Sequence, residues 1–249
     1  MATYLVLGHT VRRATSRTPS EADQVHLDLV TGAGLDAALA GVDGVFLLSP
    51  PGHVNQDALL VPVIDAAVRH GVRRAVLMTA MGVDADPTAP LRRAELHLEA
   101  SGLAWNVIRP NWFMQNFHSY WLHGIRTAGE IVLPTDDAQG SFIDARDIAA
   151  VAHVLLTTDR HANAAFDLTG GESLDHHAVA AILTEVLGHP ITYRAVTADA
   201  MRPGLLAAGL PPAYVESLLT ILEFFRLGYA ARVTDAVATI TGRPPRTFV

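Results

Sequence analysis

Residues 4–17 read YLVLGHTVRRATSR, and how this stretch divides decides the fold. Tyr4, Leu5, Val6 and Leu7 form the continuous apolar run of a buried strand, which meets a single glycine, Gly8. A dinucleotide-binding βαβ unit follows its first strand with G-x-G-x-x-G or a variant, then a helix, then a second strand. Here the chain passes from Gly8 straight into His9-Thr10-Val11-Arg12-Arg13-Ala14-Thr15-Ser16-Arg17, which reads as a second strand ending in a basic turn. Such a unit needs about 30 residues. Residues 1–30 must also supply a further strand-like stretch, Val25-His26-Leu27-Asp28-Leu29. The expectation is that a glycine-rich phosphate loop and its helix are missing.

The rest of the chain carries the alternation that such a fold requires. Gly44-Val45-Phe46-Leu47-Leu48-Ser49 is an apolar run ending at Pro50-Pro51-Gly52, as expected of a buried parallel strand. Residues 55–70 predict a helix with Leu59, Leu60, Val63 and Ala67 on one face, closed by Gly71. Ala75-Val76-Leu77-Met78-Thr79 reads as a strand, 91–101 as a helix closed by Gly102, and Trp105-Asn106-Val107-Ile108-Arg109-Pro110 as another strand. Strands alternating with helices predict an α/β fold with a doubly wound parallel sheet. Beyond Pro110 the rhythm loosens. A short strand over 130–134, a strong helix over 144–157, a strand over 165–169, helical spacing from Asp175 and another helix over 214–227 predict a small, mostly helical lobe. The division expected is a core over 1–157 and an interleaved lobe over 158–249, forming one structural unit.

Composition narrows the partners. The chain has 249 residues, 50% of them hydrophobic, which suits one domain with an ample core. Its 18 basic and 25 acidic residues give a net charge of -7 without a basic block, which disfavours nucleic acid and anionic membrane. Cysteine is absent, so no disulfide or thiolate chemistry is available. No signal-peptide pattern opens the sequence and no apolar run reaches the roughly 18 residues of a spanning helix. A soluble cytoplasmic protein is expected. The 12 histidines are scattered, with only His176-His177 adjacent, and no metal site is expected. Apolar helical positions near Leu218 and Leu227 suggest a homodimer.

Several phrases together are specific: Leu39-Ala40-Gly41-Val42-Asp43 leading into Val45-Phe46-Leu47-Leu48-Ser49-Pro50, then Ala67-Val68-Arg69-His70-Gly71-Val72. To these add Ala100-Ser101-Gly102-Leu103-Ala104-Trp105, Phe113-Met114-Gln115-Asn116, Phe142-Ile143-Asp144 with Arg146-Asp147-Ile148-Ala149, and Phe166-Asp167-Leu168-Thr169-Gly170. Through them the chain resembles the NmrA-like atypical short-chain dehydrogenases/reductases, especially the NAD(P)H-dependent quinone-reductase-like members, from about residue 8 to the end. The resemblance implies a Rossmann-like sheet with a C-terminal substrate lobe and NADPH or NADH as cofactor. It implies that Arg17 faces the adenosine 2′-phosphate, Asp28 and Leu29 border the adenine, and Leu48, Ser49 and Pro50 line the nicotinamide side. The departure is the phosphate loop, because Gly8-His9-Thr10-Val11-Arg12 looks like the family's second strand joined directly to the first.

Backbone N–H groups at a helix N-terminus normally hold the pyrophosphate. Hydrogen bonds to charged groups contribute roughly 1.5–3 kcal/mol each, so losing several weakens binding by orders of magnitude. Arg12, Arg13 and Arg17 could compensate only from another place. The reading that follows is an enzyme without a cofactor, performing isomerisation, elimination, cyclisation or hydration of an aromatic or polyketide-like small molecule. The alternatives are an NAD(P)H-dependent quinone or enone reductase with an altered loop, and a non-enzymatic redox or ligand sensor.

The Tyr-x-x-x-Lys pair of short-chain reductases is absent, and the corresponding helix offers Arg92-Arg93-Ala94-Glu95-Leu96-His97. Glu95 and His97 are therefore the candidate proton shuttles. Thr79 joins them because open α/β sheets take ligands at strand C-termini, and Asn111 because it follows the strand ending at Pro110. Trp112, Phe113, Gln115, Asn116, Tyr120, His53 and Phe142 are candidate walls and polar contacts for a planar substrate. Asp144 reads as a helix N-cap. If a cofactor is retained, Arg12, Arg17, Asp28, Leu48 and Ser49 are its candidate contacts.

Overall fold

The computed structural model describes residues 11–248. The run at Tyr4, Gly8 and the expected loss of the phosphate loop lie outside the described residues.

Along the chain come β1 (Arg13–Thr15), β2 (Gln24–His26), α1 (Leu35–Leu39), β3 (Gly44–Leu48), α2 (Gln56–Arg69) and β4 (Arg74–Met78). They are followed by α3 (Pro90–Glu99), β5 (Ala104–Pro110), α4 (Leu122–Ala128), β6 (Glu130–Leu133), α5 (Ala145–Thr157) and β7 (Ala164–Leu168). The remainder holds α6 (His176–Leu187), β8 (Thr192–Ala195), α7 (Ala198–Ala207), α8 (Pro212–Arg226) and α9 (Ala236–Thr241). The chain folds into two compact units that interleave. The first takes the described residues up to Pro50, then Asn55–Arg109 and Ala149–Phe166; the second takes Pro51–Val54, Pro110–Ile148 and Asp167 onward. The chain crosses between the units at Pro51, Asn55, Pro110, Ala149 and Asp167.

In the first unit, β3, β4 and β5 pair in parallel, with Leu47 opposite Leu77 and Leu77 opposite Val107. The sheet order is β3-β4-β5-β7, and β1 and β2 form a separate parallel pair. The apolar stripe of α2 supplies Leu60, Val63, Ile64 and Ala67 to a core shared with Leu77, Leu98 and Val107. Gly71, at φ +70°, takes the left-handed turn that ends α2, a conformation costly for other residues. Arg74 opens β4 and its guanidinium donates to the Leu155 carbonyl at 3.0 Å, tying α5 to the start of that strand.

The second unit is built on helices and on a two-stranded sheet, of which the sequence reading showed the first strand, over 130–134, and not the second. β6 and β8 pair in parallel. Only Tyr193 of the four residues in β8 is buried, so its apolar signal is a single residue inside a run that reads as helical. The core combines Leu133, Phe142, Val179, Leu219, Leu222 and Phe225. Gly170 is required there, since a Cβ would fall 2.0 Å from the Phe142 carbonyl oxygen. α6 starts at Asp175, whose carboxylate accepts the Ala178 N–H. α8 leaves Ile221 and Phe224 exposed, on the stretch from which a homodimer is expected. No helix among the described residues is long and apolar enough to cross a membrane.

Candidate functional site

In the first unit, the C-terminal ends of neighbouring parallel strands meet where open α/β sheets take ligands. Leu48 of β3 stands opposite Met78 of β4, which stands opposite Ile108 of β5. The chain leaves these ends as Ser49-Pro50 and Thr79-Ala80. Ser49 Oγ donates to the Pro50 carbonyl at 3.2 Å. The Thr79 N–H donates to the Ile108 carbonyl at 2.9 Å, and its Oγ1 donates to Glu95 Oε1 at 2.6 Å.

Glu95 is the hinge of this arrangement and its expected role needs correction. It is fully buried. Oε1 also receives Arg109 Nε at 3.0 Å, while Oε2 receives Arg109 Nη2 at 2.8 Å and Arg92 Nη1 at 2.7 Å. Arg109 reaches on to Asp84 at 2.9 Å. A carboxylate with donors on both oxygens anchors its surroundings and has no free oxygen for shuttling protons. Arg109 was the unread signal here: a guanidinium inside a buried strand demands a buried partner. His97, expected beside Glu95, points elsewhere because helix neighbours two apart do not share a face. Its Nε2 lies 2.6 Å from Asp65 Oδ1 in a partly exposed pair between α3 and α2.

The basic turn sorts its arginines. Arg12 Nη1 donates to the carbonyls of Ala37, Ala38 and Ala40 at 3.3, 3.0 and 2.8 Å. It therefore caps the C-terminus of α1, satisfying carbonyls that a helix end leaves unpaired, and is not held out for a cofactor. Arg13 grips Asp23 at 2.6 and 2.7 Å and also pairs with Glu21. Arg17 is exposed, and its guanidinium meets no partner among the described residues. The Asp28 carboxyl accepts the Val30 N–H and the Thr31 hydroxyl, both at 2.9 Å. Those bonds hold it below the ordinary carboxylate range and turn it into its own loop rather than toward an adenine.

In the second unit, Asn111 is buried with every group engaged. Nδ2 donates to Ser141 Oγ at 2.7 Å and the Ala230 carbonyl at 2.8 Å, and Oδ1 accepts the Trp112 N–H at 2.9 Å. It pins the chain after β5 and has no donor left for substrate. Trp112 stacks on Trp121 at 6.0 Å and meets Phe225 edge-on. Phe142, 2% exposed, is a core ring packed on Phe117 and not a cleft wall. Phe113 bridges backbone to Ile143. Gln115 Oε1 accepts the Ala145 N–H at 2.9 Å, so it helps Asp144, whose Oδ1 accepts the Arg146 N–H at 2.7 Å, to cap α5. Asn116 and His53 are partly exposed, and Tyr120 is 71% exposed. These three and the partly exposed Gln115 are the polar candidates of this unit, among the described residues, that keep access to solvent.

A group the sequence reading passed over is His176. It is 1% exposed, and its Nδ1 lies 2.9 Å from Thr135 Oγ1. Its ring sits 5.2 Å from Tyr193, 5.1 Å from Phe225 and 5.6 Å from Phe142. Burial pushes it down to about 4, so the ring is neutral near neutrality. The available signal was spacing: His176 is three and four residues from the buried Val179 and Ala180 on one helical face.

Residues 6–159 match the protein family described as NAD(P)H-binding. The chain is 37% identical over 227 residues to an NAD(P)H azoreductase of Xenophilus azovorans, covering 89% of this chain and 78% of that one. It is 36% identical over 219 residues to a (4-alkanoyl-5-oxo-2,5-dihydrofuran-3-yl)methyl phosphate reductase of Streptomyces griseus, covering 87% and 77%. An NADPH-dependent quinone oxidoreductase of Escherichia coli, solved with NADPH, shares the fold with a TM-score of 0.76 at 21% identity, covering 90% and 80%. These findings overturn two expectations. The absence of a cofactor is contradicted by the NAD(P)H-binding match, and cofactor-free acid–base catalysis is contradicted by relatives named as NAD(P)H-dependent reductases. The single glycine at Gly8 does not outweigh the sheet and motifs that accompany a nicotinamide cofactor. The chain belongs to the NAD(P)H-binding family, on its NmrA-like, atypical short-chain reductase side.

Proposed function

We propose that this chain is an NAD(P)H-dependent oxidoreductase acting on a planar, largely apolar acceptor such as a quinone, an azo compound or an enone. The observation that carries it is the NAD(P)H-binding match over residues 6–159, supported by 37% identity to an NAD(P)H azoreductase across most of both chains. The residues fit the cofactor in two places of the first unit. Arg17 offers an exposed guanidinium without a described partner, suited to a phosphate on the adenosine. The ends of β3 and β4 offer Leu48, Ser49 and Thr79 to the nicotinamide side. When bound, the nicotinamide supplies a hydride. The chain's own residues at these strand ends orient it; in the second unit, taken by itself, Asn116, Tyr120 and His53 are polar groups that keep access to solvent. A cysteine-free chain using a reduced nicotinamide suits the cytoplasm.

Calorimetric titration with NADPH and NADH tests the first half, with saturable binding expected and NADPH preferred. Loss of reduced-nicotinamide absorbance with a simple quinone or an azo dye tests the second. No binding of either nucleotide would sink the reading.

A further inference from the structure

The Thr79 hydroxyl carries one proton, and that proton is committed to Glu95 Oε1 at 2.6 Å. Glu95 cannot give a proton back, because Arg92 and Arg109 place three further N–H donors on its two oxygens. Burial and two guanidinium groups fix its orientation. The hydroxyl therefore presents only lone pairs beyond Glu95. Next door, Ser49 has likewise turned its hydroxyl proton inward, to the Pro50 carbonyl. The side chains at this end of β3 and β4 thus offer acceptors and withhold donors. A quinone brings only acceptors; the carboxamide of a nicotinamide brings an N–H.

We propose that Thr79 is an acceptor-only group that recognises the carboxamide N–H of the nicotinamide, and that Glu95 is the positioning residue that makes it so. The inference rests on the nicotinamide dependence proposed above. At this strand end it assigns recognition, not proton transfer, to both side chains.

The test compares NADPH with its reduced 3-acetylpyridine analogue, which keeps the ring carbonyl and lacks the N–H. Thr79→Val removes the acceptor at nearly constant volume. It is expected to lower kcat/KM for NADPH about tenfold, the equivalent of one ordinary hydrogen bond, mainly through KM, and to leave the analogue unchanged. Thr79→Ser is expected to restore the wild-type ratio. Glu95→Gln brings an amide that can donate to Thr79 and release its proton, so the analogue should gain on NADPH. Equal effects on both nucleotides in Thr79→Val, or none, would overturn the recognition role. An unchanged ratio in a folded Glu95→Gln would overturn the positioning role. Failure of the wild-type protein to bind NADPH is seen before any variant is made and counts against the cofactor reading instead.

Discussion

Glu95 in the first unit and His176 in the second are both sealed from water, yet the chain tolerates them in opposite ways. Glu95 is surrounded by donors from Thr79, Arg92 and Arg109. His176 gives up its charge among rings, with Thr135 as a single hydrogen-bond partner on Nδ1. A carboxylate flanked by guanidinium groups finds its compensation nearby, whereas an imidazole in an aromatic box is stable only when neutral. The two units should therefore fail differently when their buried polar group is altered.

The largest effect is expected from Glu95→Ala. It takes the buried carboxylate from Arg109 and Arg92, which keep Asp84 and Glu99 respectively, and removing one partner of a buried pair costs about 3–5 kcal/mol. Urea denaturation reads this directly, and a loss under about 1 kcal/mol would break the comparison at its first term.

The second effect is pH-dependent. His176 falls from an ordinary 6.5 to about 4 in the folded state, so the unfolded chain binds the extra proton between these values. Stability is complete above about pH 6.5 and is lost as pH falls toward 4. At 1.36 kcal/mol per unit the loss reaches up to about 3 kcal/mol. His176→Phe should remove this slope, and the difference between its pH–stability curve and that of the wild type isolates the one histidine. Parallel curves would mean that the ring is hydrated in the folded state.

A smaller effect separates consumed from available charge within the first unit. Arg12 and Arg13 are occupied by carbonyls and carboxylates, while the Arg17 guanidinium meets no partner among the described residues. Arg17→Ala is expected to weaken NADPH about tenfold, roughly one exposed charge-assisted contact, and to leave NADH unaffected. Equal losses for both nucleotides would place the arginine away from the 2′-phosphate. The smallest effect belongs to His97→Ala, which removes a partly exposed pair with Asp65. Its expected cost is about 0.2–1 kcal/mol without change in turnover. A large loss of turnover would return His97 to the site.

Much of the fold was legible because its signals are local. The apolar run at Leu47 and Leu48, the stripe from Leu59 to Ala67 and the cap at Asp144 each follow from neighbours within a turn or a strand. β8 was not legible, since one buried tyrosine in four residues gives no period. The candidate site was legible as a set of polar residues near strand ends, but not as roles. Glu95, Asn111 and Gln115 look alike in sequence to groups held ready for a ligand. In the structure each is spent on the protein: on two arginines, on Ser141 and Ala230, and on the start of α5.

The sequence by itself determined the alternation of strands and helices, the parallel sheet, and the resemblance that carries a nicotinamide cofactor, because periodicity and short motifs are written within a few residues. It also contained the single glycine at Gly8, and reading that one departure as decisive led to the wrong cofactor expectation. Only the tertiary structure decided which polar groups are occupied. Arg12 reaches carbonyls 25 to 28 residues away, and Asn111 reaches a carbonyl 119 residues away. Whether a donor or acceptor is free depends on what the fold brings beside it, and chain spacing carries no record of that.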